Sequence, residues 1–488
     1  MGQGYFLVRG DKTTCGGKII EGADDHTIMG IPQAREMDRV TCGRYPGMFI
    51  IVGGVPQTDI HGRLMAGSLD SQSSCPCKAR FIASMMDDVY ESAGGDGSGE
   101  DSVAESNEPE QHAQSAQKNL TSGSDSSSDD VKLDYSIKLS GNKILTPLDI
   151  PDYKEMINGG STQNTEKIDF TITNKGDEAE GFSLEVWDGA ERIYIERHYN
   201  EFLGKGEHLW QWDGYSNKGI LDTNILKSKS LVIRLFALRG DKVLRVSYPL
   251  NNSAKQEKWV DVHIDKKSKT INVTWRLAFE EGGVKGSDDK LSPIPYADLV
   301  DMAKKGVAFY WSRNGNRGGG IGDNIVTVQG IFKVDVKTEI NNEPSMSSFE
   351  LTESLDKNSG RSSSLWGFRE VVHNLGYYYG RYLSGMEANY IQAAESRFKL
   401  DSAHEMGHIV LNQYSSGSSP DYSWTHKGTS TEYTQEPLSG FPMPVSGEID
   451  IMKYSDYPRP NNEQYLRAVA ASEDVAALIW LSRVVFDD

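Results

Sequence analysis

The chain holds 488 residues, 37% of them hydrophobic, and carries a formal net charge of −19. That length predicts several domains with sizeable cores, and the charge excludes nucleic acid and anionic membrane as partners, since both repel a polyanion. No apolar run reaches the ~18 residues that crossing a bilayer needs, so no stable membrane span is expected. The opening Met1-Gly2-Gln3-Gly4-Tyr5-Phe6 has no basic region ahead of an apolar stretch, which predicts synthesis in the cytoplasm without a signal peptide.

All four cysteines fall between Cys15 and Cys77, a local clustering that reads as a metal site and not as a disulfide framework. They sit in a repeat. Asp11-Lys12-Thr13-Thr14-Cys15, Asp38-Arg39-Val40-Thr41-Cys42 and Asp70-Ser71-Gln72-Ser73-Ser74-Cys75 each run from an aspartate through a hydroxyl residue to a cysteine. Gly22, Gly30 and Ala34 precede Gly54, Gly62 and Ala66 by 32 residues. Packing such units around a pseudo-threefold axis brings Cys15, Cys42 and Cys75 to one end, where Cys77 adds a fourth thiolate. Four sulfurs at a point make a closed structural Zn²⁺ site that contributes directly to folding; His26 and His61 are the alternative ligands.

The runs Gly10-Asp11-Lys12-Thr13-Thr14-Cys15-Gly16-Gly17, Pro32-Gln33-Ala34-Arg35 and Ser74-Cys75-Pro76-Cys77-Lys78-Ala79-Arg80-Phe81 resemble the PAAR-repeat proteins that sharpen the type VI secretion spike. Gln33 replaces the first alanine of the naming motif. The family often has a histidine where Cys15 stands and another just after the second cysteine, where this chain has Tyr45 or Pro46. The resemblance implies a β-repeat cone over residues 1–90, a VgrG-like spike protein as partner, and delivery into target cells by the type VI system.

Residues 91–130 hold ten acidic side chains and one lysine among Ser and Gly, a composition too polar to fold, and are expected to be a self-repelling linker. From 131 to 280 the pattern alternates, as in Ile168-Asp169-Phe170-Thr171-Ile172-Thr173, Phe182-Ser183-Leu184-Glu185-Val186-Trp187 and Leu231-Val232-Ile233-Arg234-Leu235-Phe236, which predicts an antiparallel β-sandwich. Its Trp210-Gln211-Trp212-Asp213-Gly214 is similar to a turn in the Ig-like domain of flagellar hook-capping proteins, implying an Ig-like spacer.

Residues 281–488 return to helical signals and contain His404-Glu405-Met406-Gly407-His408. On a helix, positions i and i+4 share a face, so both imidazoles can grip one Zn²⁺ while Glu405 faces the open side of the metal and takes a proton from water. Leu400, Ala403, Ile409, Val410 and Leu411 give the apolar flanks of a buried helix, starting either at Asp401-Ser402 or earlier, near Glu395. A further helix is expected over Phe368–Gly376, packed near the active-site helix, with His373 as a core or surface histidine and contact with substrate as the alternative. A catalytic zinc needs a third protein ligand. His426, the one histidine after the pentad, is the first choice; Glu473 is the rival, with Glu448 or Asp450 behind it.

The pentad resembles the zincin metallopeptidases, which implies a C-terminal α+β enzyme domain. Gly447-Glu448-Ile449-Asp450-Ile451-Met452-Lys453-Tyr454 resembles the Met-turn of metzincins, implying that Met452 floors the metal and Tyr454 hydrogen-bonds the oxyanion. The metzincin spacing H-E-x-x-H-x-x-G-x-x-H is not kept: its last histidine position holds Tyr414. Glutamate-using zincins such as the thermolysin-like group take the third ligand from a later helix, the place of Glu473.

The expected protein is thus multidomain: a PAAR-tipped antibacterial effector whose zinc peptidase cuts amide bonds in a protein or a peptidoglycan peptide, paired with a cognate immunity protein. The alternatives are a non-enzymatic spike-tip adaptor that docks other cargo, and a glycan binder acting through the sandwich.

Overall fold

In the computed structural model the described residues are 2–28, 31–45, 48–56, 58–85, 88–92, 131–158, 165–285, 294–342, 348–355, 362–365, 368–377, 387–415, 419, 421–456 and 462–487. The expected linker at 91–130 lies outside them apart from its first two residues. The chain divides into two compact units, Met1–Ser127 and Ser128–Asp488.

The first unit is built from strands of two to six residues in antiparallel pairs, closed by Gly2–Tyr5 against Val89–Ser92. Its core comes in small parcels, Leu7, Ile19, Ala34, Val40, Ile51, Ala66 and Phe81 in one and Phe6, Val8, Ile28, Val55 and Tyr90 in another. Four residues before each repeat cysteine, a buried side chain ties down the preceding turn. Asp11 accepts from the Val8 amide, Asp38 from the Arg35 amide and Ser71 from the Gly67 amide. The third unit therefore uses Ser71, not Asp70, at the equivalent place, and each cysteine is launched from a fixed turn.

The second unit begins with the strands whose alternation the sequence displays. Tyr135–Ser140, Ile168–Asn174 and Gly206–Trp212 form one antiparallel sheet. Glu191–His198, Gly181–Asp188, Leu231–Arg239 and Lys242–Pro249 form another. Tyr135 of the first and Phe182 of the second are 5.4 Å apart across a shared core.

A third, mixed sheet backs the helix Glu387–Tyr414. Its spine is Thr270–Lys285, whose first half pairs antiparallel with Val260–Asp265 and parallel with Gly330–Ile340. Its second half pairs parallel with Ser348–Ser354, and that strand with Phe368–Asn374. The expected boundary at residue 280 thus falls inside one continuous strand, and the last strand, Val484–Asp487, pairs back onto Ile144–Leu145 and Asn251–Asn252. Residues from both sides of 280 share one core. Phe368–Asn374 is a strand and not the expected helix: its paired β-branched Val371 and Val372 fit a pleated, buried strand better than a helical turn.

Two helices pack beside this sheet, Tyr296–Trp311 and Glu387–Tyr414. They approach closely at Gly306, where a β-carbon would run into the Lys399 carbonyl. Trp311 Nε1 donates to the Ala403 carbonyl at 3.0 Å, fixing the helices one residue before His404. No helix among the described residues is long and apolar enough to cross a membrane.

Candidate metal centre

The 28-residue helix Glu387–Tyr414 starts ahead of the expected caps and sets His404, Glu405 and His408 at its buried middle, with His426 arriving from a turn that follows a short helix, Asp421–Trp424. The three imidazole rings form a nearly equilateral triangle, with centroids 4.8, 5.0 and 5.2 Å apart. His404 Nε2 and His408 Nε2 are 3.2 Å apart, close to the edge of about 3.3 Å that a tetrahedron with Zn–N bonds of ~2.0–2.1 Å requires.

Hydrogen bonds decide which nitrogen each ring presents. His404 Nδ1 lies 2.6 Å from the Ile451 carbonyl, which can only accept, so the proton is on Nδ1. Ser423 Oγ gives its proton to the His408 carbonyl and therefore accepts from His408 Nδ1 at 3.0 Å. Ser430 Oγ donates to the Thr431 carbonyl and accepts from His426 Nδ1 at 2.8 Å in the same way. All three rings thus take the tautomer whose Nε2 carries a lone pair, and these converge. Lone pairs facing one another in a buried site repel; a divalent cation between them turns that repulsion into ligation. Burial holds the His404 pKa below the ordinary histidine value and, helped by the neighbouring His404, holds that of His408 far below it, so both rings are neutral ligands at neutral pH. The donor set fits zinc.

Glu405, which follows His404 in the same helix, is 4% exposed. Burial pulls down the pKa of the half-buried Arg369 on the neighbouring strand, against the opposing charge of Glu405. Nothing in the sequence singled out Arg369. Tyr454 stacks on His426, with ring centroids 3.7 Å apart, and its ring lies 5.7 Å from His404. His373 is fully buried against Phe398, 3.8 Å from Glu353, and belongs to the core.

Met452 lies beneath the pentad. A β-carbon at Gly407 would collide with Met452 Sδ and stand 3.0 Å from Trp311 Cζ2, and both partners are fully buried. Gly407→Ala is therefore expected to lower stability by about 1–3 kcal/mol, because overpacking outweighs the ~1 kcal/mol gained in helix propensity. A thermal melt with an unchanged or raised Tm would refute this.

Glu473, the rival third ligand, heads the helix Ser472–Leu481 and is paired at 3.1 Å with Lys427 instead. Asp450 is likewise bound to Lys427, at 2.8 Å, and Glu448 is held by Arg313. Among the described residues, the ligand group at this centre is His404, His408 and His426.

In the first unit Cys15, Cys42, Cys75 and Cys77 gather as expected, with Sγ atoms 3.5 Å apart for Cys15–Cys42 and 3.8 Å for Cys42–Cys77. These are too long for disulfides and match the edge of about 3.8 Å of a sulfur tetrahedron around zinc at ~2.3 Å. A hydrogen bond from Thr13 draws the Cys15 pKa down to about 6, whereas burial and the surrounding sulfurs push Cys77 up to about 11. The cluster is compatible with a structural zinc. Cys42→Ser is expected to release that metal and lower the unit's Tm; retention of the ion through dialysis would argue against it. His26 and His61 are not in this cluster but gather with Asp25 in a separate one.

Residues 9–79 match the family model described as the PAAR motif. That match marks a type VI secretion spike-tip protein, of the kind that sits on a VgrG spike. A search of curated proteins returns no match. Two solved structures are similar at 8% identity: β-glucuronidase of Ruminococcus gnavus, and β-glucuronidase of the same organism with a C6-substituted uronic isofagomine. Their TM-scores are 0.13 and 0.12, over 56% and 50% of this chain and 36% and 33% of theirs. The chain spans about a third of those structures' length, and likeness this low carries no argument about fold or activity.

Proposed function

We propose that this spike-tip protein is also an effector enzyme, a zinc-dependent peptidase that hydrolyses amide bonds in a protein or peptidoglycan-peptide target of a recipient cell. The observation that carries the reading is the convergence of three Nδ1-anchored imidazoles on one buried point, with Glu405 next to His404 in the same buried helix. Zinc bound there supplies Lewis-acid activation of water and of the scissile carbonyl. His404, His408 and His426 hold it, each oriented by the carbonyl or hydroxyl at its Nδ1. Glu405 accepts the proton of the attacking water and passes it to the leaving nitrogen, so that the amide breaks into acid and amine with no net change at the enzyme. Tyr454 donates its hydroxyl proton in a hydrogen bond to the oxyanion, and Met452 floors the centre. A peptidase delivered between bacteria implies a cognate immunity protein in the producing cell.

Metal analysis tests the reading. Compared with the full-length protein, His404→Ala/His408→Ala should lose one tightly held zinc and all peptide hydrolysis while the cysteine-bound zinc stays. Equal zinc content in the two proteins would favour the cargo-docking adaptor.

A further inference from the structure

We propose that Asp25, His26 and His61 form a solvent-facing site for a divalent transition metal on the N-terminal unit, separate from the four cysteines. Asp25 and His26 lie in the strand Ala23–Ile28, whose four central residues are exposed. Its pairing with Ile31–Gln33 is irregular: the register passes from Ala23 opposite Gln33 directly to Thr27 opposite Pro32, so residues 24–26 bulge out of the ladder. A bulge of this kind re-aims side chains. His61 comes from the tight turn in which Ile60 and Arg63 pair and the Asp59 carboxylate accepts from the Gly62 amide. Two irregular segments distant in sequence thus deliver their imidazoles to one carboxylate.

The three side chains can supply a tridentate ligand set once a cation replaces the proton that His61 Nε2 shares with Asp25. Asp25 Oδ2 lies 2.6 Å from His61 Nε2 and Oδ1 lies 3.5 Å from His26 Nδ1, one imidazole on each oxygen. The two rings stand nearly perpendicular with centroids 5.4 Å apart, and the candidate ligand atoms all fall within 4.8 Å of one another. A simple surface hydrogen bond would engage one histidine; this carboxylate engages two. The hydrogen bond from His61 holds the Asp25 carboxyl below the usual carboxylate range, so it is ionised at neutral pH.

Two imidazoles and a carboxylate suit borderline cations such as Zn²⁺, Ni²⁺ or Cu²⁺, not the hard, all-oxygen environment of Ca²⁺ or Mg²⁺. With side chains 52–59% exposed, the site differs from the sulfur cluster in kind. Three protein ligands leave coordination positions open to water or to a side chain of a neighbouring protein, and the ion exchanges readily. Binding there cross-links the strand to the turn and stabilises the folded unit by mass action.

The test is calorimetric titration of Zn²⁺ into the full-length protein after zinc loading and desalting, so that the tightly held ions are already in place. The wild type should show a further binding event, weakened more than about tenfold by His61→Ala and by His26→Ala. It should also be weakened by Asp25→Asn, which keeps the shape and removes the charge. All three positions are surface-exposed, and retention of the cysteine-bound zinc in each variant reports an intact unit. Zinc should raise the melting temperature of the wild-type unit and not that of the variants. Absence of the further event in the wild type, or its persistence unchanged in all three variants, overturns the proposal.

Discussion

Glu405→Gln should leave zinc binding and the melting temperature close to wild type while lowering kcat for amide hydrolysis by about 10²–10⁴-fold. The substitution keeps the side chain's shape at a position 4% exposed but removes its ability to take a proton. Three properties separate this from a structural role. The zinc content should be unchanged, because His404, His408 and His426 supply the ligands. KM should move little, because the base acts mainly in the transition state. Glu405→Asp, which keeps a carboxylate, should retain more of kcat than Glu405→Gln. Toxicity of the delivered protein should fall with kcat. A Glu405→Gln protein that hydrolyses peptide at the wild-type rate would falsify the assignment of Glu405 as the general base, whatever its metal content.

The parts of this chain that could be read from sequence are those in which chemistry is local. The His404–His408 pair is fixed by helical period, and the cysteines by a repeat whose turns are tied within four residues. His426 stands out as the one histidine after the pentad, but what sets it in place is not legible in sequence: Ser423 and Ser430 look like any loop serines, and their role depends on which carbonyl takes the hydroxyl proton. Strand partners were equally invisible. Alternation marks Thr270–Lys285 as extended but not that its two halves serve different neighbours, so a boundary drawn at residue 280 cuts the spine of the sheet. For Phe368–Asn374 the apolar spacing tolerated a helix, and only the parallel pairing with Ser348–Ser354 decides for a strand.

The largest loss outside the ligands and the base is expected at Lys427, which shows how the third ligand is kept in position. His426, Lys427 and Gly428 are consecutive left-handed residues, with φ of +49°, +58° and +81°. For the two that are not glycine this costs about 1–3 kcal/mol each, so the turn persists only because something holds it. The Lys427 ammonium, 6% exposed, lies 2.8 Å from Asp450, 3.1 Å from Glu473 and 3.0 Å from Asp474. Asp450 in turn accepts from the Met452 amide, and Thr429 accepts from the Tyr454 amide, so the clamp locks the His426 turn to the segment under the metal. Lys427→Met keeps the buried stem and removes the charge, stranding three carboxylates. Breaking such a buried network by deleting one partner costs about 3–5 kcal/mol, a large share of the ~5–15 kcal/mol that a folded unit has. Burial and Asp450 already push the Asp474 pKa up to about 7. A carboxyl raised above its unfolded value loses folding stability as pH climbs from the unfolded pKa through the folded one, so the variant's defect should deepen as pH rises from about 4 through about 7. Zinc affinity at the histidine centre should fall with it as the turn relaxes. Glu473→Gln is the matched control: that side chain is 44% exposed, so its loss should cost no more than about 1 kcal/mol and leave the zinc bound. Zinc lost from Glu473→Gln but retained by Lys427→Met would reverse the assignment of His426 as the third ligand.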